Sequence, residues 1–265
     1  MFMEERHQAI LKIVNESGRI SIGNIQDQFN ISVDSARRDL RILEEKGLLK
    51  RTHGGAIPLT QVGDIPPRVR DIQNISRGEN YDQIAKQATT LVKENDIVYL
   101  TSGSVGFLML KYLPRDFQYT LVVNSATLAD QLKYWDNVNV YITGGKMRQN
   151  ATTALVDSFA TRFVQNMNFD ISFITGAGLD AQFGFSNSTP EAASFQEAVI
   201  TNSRKNVLLL PSNKVGYKAF VKVCDTPRFD ILITDWEASE EHLAQIEETG
   251  VQVIVVDAPT NIKND

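Results

Sequence analysis

The chain has little cysteine and no long apolar run. Cys224 is the one cysteine among 265 residues, so an intramolecular disulfide is excluded and a reducing compartment is expected. No stretch approaches the roughly 18 apolar residues that a membrane-spanning helix needs. Residues 1–7 are charged and lack the apolar segment of a signal peptide. We therefore expect a cytoplasmic protein that makes no contact with a membrane, with Cys224 as a buried apolar side chain.

Side chains that bind metals are also scarce. The sequence holds three histidines besides its single cysteine, and their spacing matches no zinc-binding pattern. His7 and His242 lie in polar helical contexts, so we expect both to be exposed to solvent. The sequence thus predicts neither a metal site nor a bound cofactor.

Lys and Arg are fewer than Asp and Glu, which gives a formal net charge of −5. The charge is unevenly distributed along the chain, because residues 1–57 hold nine Lys and Arg against eight Asp and Glu. Six of those nine cations fall within residues 37–53, together with three acids. Nucleic-acid binding depends on local cations that meet phosphates, so the net charge does not exclude it.

The first 57 residues predict three short helices and a basic hairpin. Apolar positions at helical spacing predict a helix over 4–17. Ser21 and Ser32 are suited to cap two further helices at their N-termini, and Gly47 is suited to end the last one. A hairpin over 48–57 then completes the pattern of a winged helix-turn-helix.

The remainder of the chain predicts a larger α/β domain. Residues 58–79 contain several prolines and glycines without periodicity, which is typical of a linker. Over 80–265, apolar strand-like runs alternate with helical segments, which predicts a mostly parallel sheet covered on both faces. The predicted strands are 97–100, 119–123, 138–143, 171–175, 207–210, 231–234 and 251–256.

Three short motifs within residues 31–56 are more specific than this pattern. They are Arg-Arg-Asp-Leu at 37–40, Leu-Glu-x-x-Gly at 43–47 and His-Gly-Gly-Ala at 53–56. Together they resemble the N-terminal signature of the DeoR family of sugar-responsive repressors. The resemblance implies a transcriptional regulator that binds a double-stranded DNA operator as a homodimer or homotetramer.

Residues of the third helix and of the hairpin are the candidate DNA contacts. A recognition helix brings its N-terminal residues to the base edges in the major groove, which favours Ser32, Asp34, Ser35 and Arg38 for that role. Phosphate or minor-groove contacts are expected from the remaining cationic side chains, which are Arg37, Arg41, Lys50, Arg51 and His53. A solvated helix face is the alternative for the three arginines. Asp39 is expected to anchor an arginine or a helix end rather than to contact a base.

A looser resemblance to the same family extends over residues 64–235. It implies a fold similar to ribose-5-phosphate isomerase and CoA-transferases, with a small effector, a phosphorylated sugar, bound where strands end. Lys214 is expected to be the cation for a phosphate or carboxylate, with a surface lysine as the alternative, and Asp180 and Glu191 could instead cap helices. The candidate effector-binding residues are Ser102, Gly103, Ser104, Asn124, Ser125, Gly144, Gly145, Arg148, Asp180, Glu191 and Lys214.

Four positions depart from the family pattern. Thr101, Ala177 and Pro211 stand where the family usually carries Asp, and Phe195 stands where it usually carries Lys. General acid–base catalysis needs titratable groups, so we expect a regulator and not an enzyme. Of the two kinds of regulator, we expect a repressor. The ligand preference is expected to shift toward molecules with fewer hydroxyls. A constitutive DNA-binding protein with a vestigial pocket and a sugar-phosphate isomerase remain the alternatives.

Overall fold

The computed structural model describes residues 3–17, 19–52, 54–58, 79–148 and 153–259. The chain divides into two compact units, Met1–Pro67 and Arg68–Asp265. The division falls within the predicted linker. Most of that linker, residues 59–78, and the candidate DNA contact His53 lie outside the described residues.

The smaller unit contains three helices and a three-stranded antiparallel sheet with the order β1-β3-β2. The three helices and the hairpin of strands β2 and β3 confirm the sequence prediction, whereas β1 was not predicted because it spans only two residues. The elements are α1 (Met3–Ser17), β1 (Ile20–Ser21), α2 (Ile22–Phe29), α3 (Val33–Glu45), β2 (Leu49–Thr52) and β3 (Gly55–Pro58).

Local capping explains where these helices begin and end. The Ser21 hydroxyl accepts a hydrogen bond from the Asn24 amide, and the Ser32 hydroxyl accepts one from the Ser35 amide. Such a cap is worth about 1 kcal/mol. Gly47 follows α3 with a φ of 66°, a left-handed conformation that glycine adopts without strain.

A buried charge cluster fastens α1 to α3. The Asp39 carboxylate accepts hydrogen bonds from Arg6 Nε at 2.7 Å and Arg6 Nη2 at 3.2 Å, and lies 3.0 Å from His7 Nε2. Burial favours the neutral acid, but the hydrogen bonds from Arg6 and His7 outweigh it and hold the pKa of Asp39 below its ordinary value. Asp39 is thus the expected anchor for an arginine. The expectation of an exposed His7 was wrong, because this face of α1 packs on α3 and leaves His7 only 4% exposed.

The larger unit is built on a seven-stranded sheet with the order β13-β12-β10-β7-β4-β5-β6, in which every pairing is parallel. A separate antiparallel sheet has the order β11-β9-β8. The elements are α4 (Glu79–Thr89), β4 (Ile97–Leu100), α5 (Ser104–Met109), β5 (Tyr119–Val123), α6 (Ala126–Leu132), β6 (Val138–Ile142), α7 (Ser158–Gln165), β7 (Ile171–Ile174), β8 (Gly178–Asp180), β9 (Gly184–Asn187), α8 (Pro190–Thr201), β10 (Asn206–Leu209), β11 (Val221–Cys224), β12 (Ile231–Asp235), α9 (Glu240–Glu247) and β13 (Gln252–Val256).

Alternate residues of the central strands bury their side chains on opposite faces of the large sheet. In β4, Val98 and Leu100 pack in a core shared with α4, α5 and α6, whereas Tyr99 packs in a second core shared with α7, α8 and α9. Helices on both faces are what an all-parallel sheet requires. The predicted α/β class with a mostly parallel sheet is confirmed, and each predicted strand lies within one residue of an observed one.

Strict alternation of strands and helices was an incomplete prediction. The antiparallel sheet β11-β9-β8 interrupts it, and residues 178–180, interpreted from the sequence as part of a loop, form strand β8. Strands β8 and β9 have only three and four residues and contain glycine and polar side chains, so they give no detectable period of two. Their pairing comes from tertiary contacts instead.

Several further features bear on the expectations from composition. None of the helices in the described part of the chain combines the length and apolar character needed to span a membrane. Within the described ranges, no three His, Cys, Asp or Glu side chains are grouped to hold a metal ion. Cys224 is partly buried, and burial raises the pKa of its thiol to about 12, so the reactive thiolate is disfavoured.

Candidate functional site

Helix α3 has one buried face and one basic face. Ala36, Leu40 and Leu43 belong to the core of the smaller unit. Arg37, Arg38 and Arg41 are exposed, and at 100° per residue they fall on one side of the helix. Among the described residues, none of the three forms an ion pair. The basic face is therefore available to an external anion. Lys50 is exposed on the adjoining strand β2.

A surface ion pair joins the hairpin to α3. Arg51 Nε lies 2.6 Å from Glu44 Oε2, and the Arg51 amide donates to Glu44 Oε1 at 2.8 Å. These hydrogen bonds from Arg51 hold the pKa of Glu44 below its ordinary value. Exposed pairs contribute little stability, so the pair matters chiefly because it orients the hairpin. The pair also partly neutralises the charge of Arg51, which was predicted from the sequence to contact DNA.

The residues predicted to read bases lie in the first two turns of α3 and at its N-cap. The Ser32 and Ser35 hydroxyls are 3.0 Å apart, and Ser32 also caps the helix, so both take part in the helix start. Asp34 and Arg38 are exposed beside them. The structure thus places four of the predicted contacts together at one helix end.

A cavity of about 140 Å³ lies in the larger unit at the carboxyl ends of the central strands. Strand β4 is flanked by β5 and β7, and the chain proceeds from it toward opposite edges of the sheet. Ligands of open α/β sheets bind at such a reversal of strand order. The cavity is lined by Tyr99, Thr101, Ser102, Gly103, Asn124, Arg148, Ala154, Val156, Thr175, Gly176, Asn187, Ala192, Phe195 and Gln196.

Four of the predicted effector-binding residues line this cavity: Ser102, Gly103, Asn124 and Arg148. The Ser102 amide donates to Asn124 Oδ1 at 3.2 Å, which connects the ends of β4 and β5. Gly103 approaches the end of β7 so closely that a Cβ there would lie 2.1 Å from Thr175 Oγ1. Strand-end residues therefore converge as the sequence predicted.

The other predicted effector residues are not among those that line the cavity. Buried Ser125 caps α6 by accepting from the Leu128 amide at 3.2 Å. Asp180 Oδ1 accepts from the Gln182 and Phe183 amides and closes the turn after β8. The remaining members of this group are Ser104 at the start of α5, Gly144 and Gly145 in the turn after β6, exposed Glu191 in the first turn of α8, and Lys214.

Lys214 contacts a residue of the cavity lining without belonging to the lining itself. Its Nζ donates to the carbonyl oxygen of Gly176 at 2.9 Å, and Gly176 is itself a lining residue. Lys214 belongs to a short 3₁₀ turn, Ser212–Lys214, that follows β10. This contact makes Lys214 a support for the wall at the end of β7.

Sequence reasoning missed a chain of hydrogen bonds among residues that line the cavity. Thr101 Oγ1 and Thr175 Oγ1 are 3.2 Å apart, and Gln196 Nε2 donates to the Thr175 carbonyl at 2.7 Å. Asn187 Nδ2 donates to Gln196 Oε1 at 2.8 Å. Thr175 is the last residue of the predicted strand 171–175, so the strand-end rule would have found it. Asn187 and Gln196 gave no such signal, because they arrive from the unpredicted strand β9 and from α8.

The electrostatics of the lining are simple. Arg148 is the only Asp, Glu, Lys, Arg or His among the described lining residues. Tyr99 packs against Phe195 with ring centroids 6.0 Å apart, and burial raises the pKa of Tyr99 far above its ordinary value. A mostly polar lining with one cation can hold an anion, whereas the described lining residues offer no pair of groups for proton transfer.

Comparison with known families bears on both units. The family described as "DeoR-like helix-turn-helix domain" matches residues 6–62, and "DeoR C terminal sensor domain" matches residues 77–236. The chain belongs to the DeoR family. It is accordingly a DNA-binding transcriptional regulator, and the cavity lies in its sensor domain.

Relatives match this DeoR-family chain over nearly its whole length. The HTH-type transcriptional regulator GlpR of Haloferax volcanii is 32% identical over 96% of this chain and 98% of its own. GolR of Listeria innocua is 27% identical over 97% and 100%, and a putative aga operon transcriptional repressor of Escherichia coli O157:H7 is 24% identical over 95% and 93%. All three are named as regulators of transcription and none as an enzyme.

A solved structure was also compared with this DeoR-family chain. Ribose 5-phosphate isomerase A of Methanocaldococcus jannaschii is 14% identical, and the match covers 51% of this chain and 52% of that one. The TM-score of 0.37 is too low to bear on fold or function.

Proposed function

We propose that this regulator represses genes of sugar or carbohydrate metabolism and releases its operator when a phosphorylated sugar occupies the cavity. The observation that carries the proposal is the cavity at the reversal of strand order, in the sensor domain of a chain whose other domain exposes an unpaired basic helix face. The Escherichia coli relative is named as a putative aga operon transcriptional repressor, which supports the sign of regulation.

On the DNA side, α3 enters the major groove with its N-terminal turn toward the base edges. Ser32, Asp34, Ser35 and Arg38 supply the base contacts, and one bidentate arginine on guanine gives about 1–3 kcal/mol of discrimination. Phosphates are bound by Arg37, Arg41 and Lys50. In the hairpin, Arg51 and His53 have the same role. Helix-turn-helix proteins occupy two half-sites as dimers, so the binding species is a homodimer or homotetramer.

On the effector side, Ser102, Gly103, Asn124 and Arg148 bind the ligand directly. The ligand regulates only if it binds the DNA-competent and the DNA-incompetent states with different affinity. Residues 58–79 connect the two domains. They transmit the effect of ligand binding in the sensor domain to the DNA-binding domain.

The test is fluorescence anisotropy of an operator that the protein itself selects from a random DNA pool, at fixed salt, with and without phosphorylated sugars. We expect one sugar phosphate to weaken operator binding at least about tenfold, which corresponds to about 1.4 kcal/mol of coupling. Specific DNA binding that no sugar phosphate alters would instead favour a constitutive regulator with a vestigial pocket.

A charge variant tests the basic face of α3. Arg38→Ala should relax sequence preference, whereas Arg41→Ala should weaken binding to every sequence and reduce the salt dependence by about one phosphate contact. Lys12→Ala on α1 is the control that removes an exposed cation from the same domain. Equal effects of all three variants would contradict the assignment of α3 as the recognition helix.

A further inference from the structure

Strand β6 forms one edge of the large sheet, and among the described elements no strand pairs with its outer side. Helix α6 packs on one face of β6, whereas Asn139 and Tyr141 remain exposed on the opposite face. At the other edge of the sheet, both α4 and α9 contact β13. The edge at β6 is therefore the less covered of the two.

We propose that β6 pairs with β6 of a second copy of this chain, antiparallel and about a two-fold axis. Two sensor domains then share one continuous sheet. The inference rests on the proposed function, in that a helix-turn-helix regulator binds two half-sites as a dimer. It assigns the surface that joins the two copies.

The backbone of β6 has hydrogen-bonding groups to offer at this edge. The Asn137 carbonyl accepts a hydrogen bond from β5 at 3.4 Å, and the Thr143 amide donates one to β5 at 3.1 Å. In a parallel ladder, a residue directs its N–H and C=O to the same neighbouring strand, and the next residue directs them away. Val138, Val140 and Ile142 thus direct theirs to the outer side. An edge of this kind is a template for pairing with another chain.

The surface beside this edge is apolar. Five of the twelve large apolar side chains that are exposed in the described part of the chain belong to β6, to the turn after it or to α7: Tyr141, Ile142, Met147, Phe159 and Phe163. The turn and α7 are adjacent, because the Lys146 amide donates to the Asp157 carboxylate at the N-cap of α7 at 2.9 Å. Residues 138–142 include no charged residue and no proline, which are the usual means of blocking an exposed edge strand.

Charges beyond the two ends of β6 favour a second copy as the partner. Asp136 is exposed before the strand, and Lys146 is exposed in the turn after it. When two β6 strands run antiparallel, the acidic end of each lies beside the basic end of the other, whereas a parallel pairing sets like charges together. An uncharged centre with one acidic and one basic end is self-complementary under a two-fold rotation, as a symmetric dimer interface requires.

The experiment is analytical ultracentrifugation of the full-length protein without DNA, over a concentration series that gives the Kd of the dimer. Tyr141→Asp should raise this Kd at least about tenfold, because the pairing brings the new carboxylates of the two copies close together. Val255→Asp on β13 is the matched control and should leave the Kd unchanged. Tyr141 is 52% exposed and Val255 is 45% exposed, so the two sites compare closely.

Two further sets of variants test the pairing itself. Ile142→Pro removes an N–H that points to the outer side and should raise the Kd, whereas Ile142→Thr keeps this donor and should have a smaller effect. Asp136→Lys and Lys146→Asp should each raise the Kd at least about threefold, and the double variant should restore it. Melting temperatures of all variants show whether each is folded.

The outcomes separate this inference from the proposed function. A wild-type chain that sediments as a monomer at every concentration would overturn the dimeric regulator, and this inference with it. A dimer that Val255→Asp weakens and the β6 variants do not would place the interface elsewhere and overturn this inference alone. A dimer weakened by Tyr141→Asp but indifferent to Ile142→Pro and to the charge exchange would overturn the shared sheet. Should Ile142→Pro fail to fold, the charge exchange still decides.

Discussion

Asp39 sits in the recognition helix with its side chain turned away from the exposed basic face. The carboxylate is 3% exposed and is held by Arg6, which is 15% exposed, and by His7. A buried pair of this kind adds little over an apolar contact, but the loss of one partner leaves a buried charge unpaired. Asp39 therefore fixes the distance and rotation of α3 relative to α1, and with them the direction in which Arg38 and Arg41 point.

Asp39→Asn should lower the free energy of unfolding of the DNA-binding unit by about 3–5 kcal/mol, since Arg6 loses its counter-charge. Asp34→Asn, an exposed acid on the same helix, is the matched control and should change it by less than about 0.5 kcal/mol. Urea denaturation followed by far-ultraviolet circular dichroism measures both. A similar stability for the two variants would show that the Arg6–Asp39 pair does not hold the helices together.

The same residue predicts a dependence on pH. The pKa of Asp39 is lower in the folded state than its unfolded value of about 3.9. Its contribution to stability is therefore complete above that unfolded value and is lost as the pH falls through the folded pKa. Wild-type protein should lose stability in acid more steeply than Asp39→Asn. Parallel pH profiles from pH 2 to pH 6 would contradict this assignment.

Among the elements, helix starts were predictable from sequence and the small antiparallel sheet was not. Ser21 and Ser32 act within three residues of themselves, so a local pattern reveals them. Strand β9 pairs with β11 more than thirty residues later, and its register follows from packing that no short window contains. The residues that line the cavity differ in the same way. Ser102 and Asn124 follow predictable strand ends, whereas Gln196 comes from the middle of α8.

The start of α3 offers a test that separates capping from DNA contact. Ser32→Ala should cost about 1 kcal/mol of stability through loss of the cap. Ser32→Asp retains a capping oxygen, so stability should remain near that of the wild type while DNA affinity falls, because the new charge faces phosphates. Denaturation and anisotropy measure the two properties. Full DNA affinity in Ser32→Asp would place this helix end away from the DNA backbone.

At the scale of the whole molecule, the chain has two units with separate hydrophobic cores. Nine of the described buried residues form the core of the smaller unit, and two clusters on opposite faces of the large sheet form the cores of the other. Both tryptophans, Trp135 and Trp236, pack against a core of the larger unit. Tryptophan fluorescence therefore follows the sensor domain alone, which allows the two units to be monitored separately.

A ligand of the cavity should raise the melting temperature seen by tryptophan fluorescence. At one hundred times its Kd the stabilisation is about 2.7 kcal/mol. In the absence of DNA, the transition of the smaller unit, followed by hydrogen exchange of α3 amides, should shift far less. Operator DNA should stabilise α3 instead. A ligand that protected α3 amides while leaving the tryptophan transition unchanged would place its binding site outside the cavity.

The lining of the cavity predicts how the response to the effector depends on pH. The described residues that form it include no carboxylate, imidazole or thiol, and burial keeps the Tyr99 hydroxyl protonated. A phosphate monoester, in contrast, gains its second negative charge with a pKa of about 6. If the effector is the phosphorylated sugar proposed above, the group that titrates between pH 5 and pH 7 belongs to the effector and not to the described lining of the cavity. The same concentration of effector should therefore give a weaker response as the medium becomes more acidic, with the dianion as the species sensed.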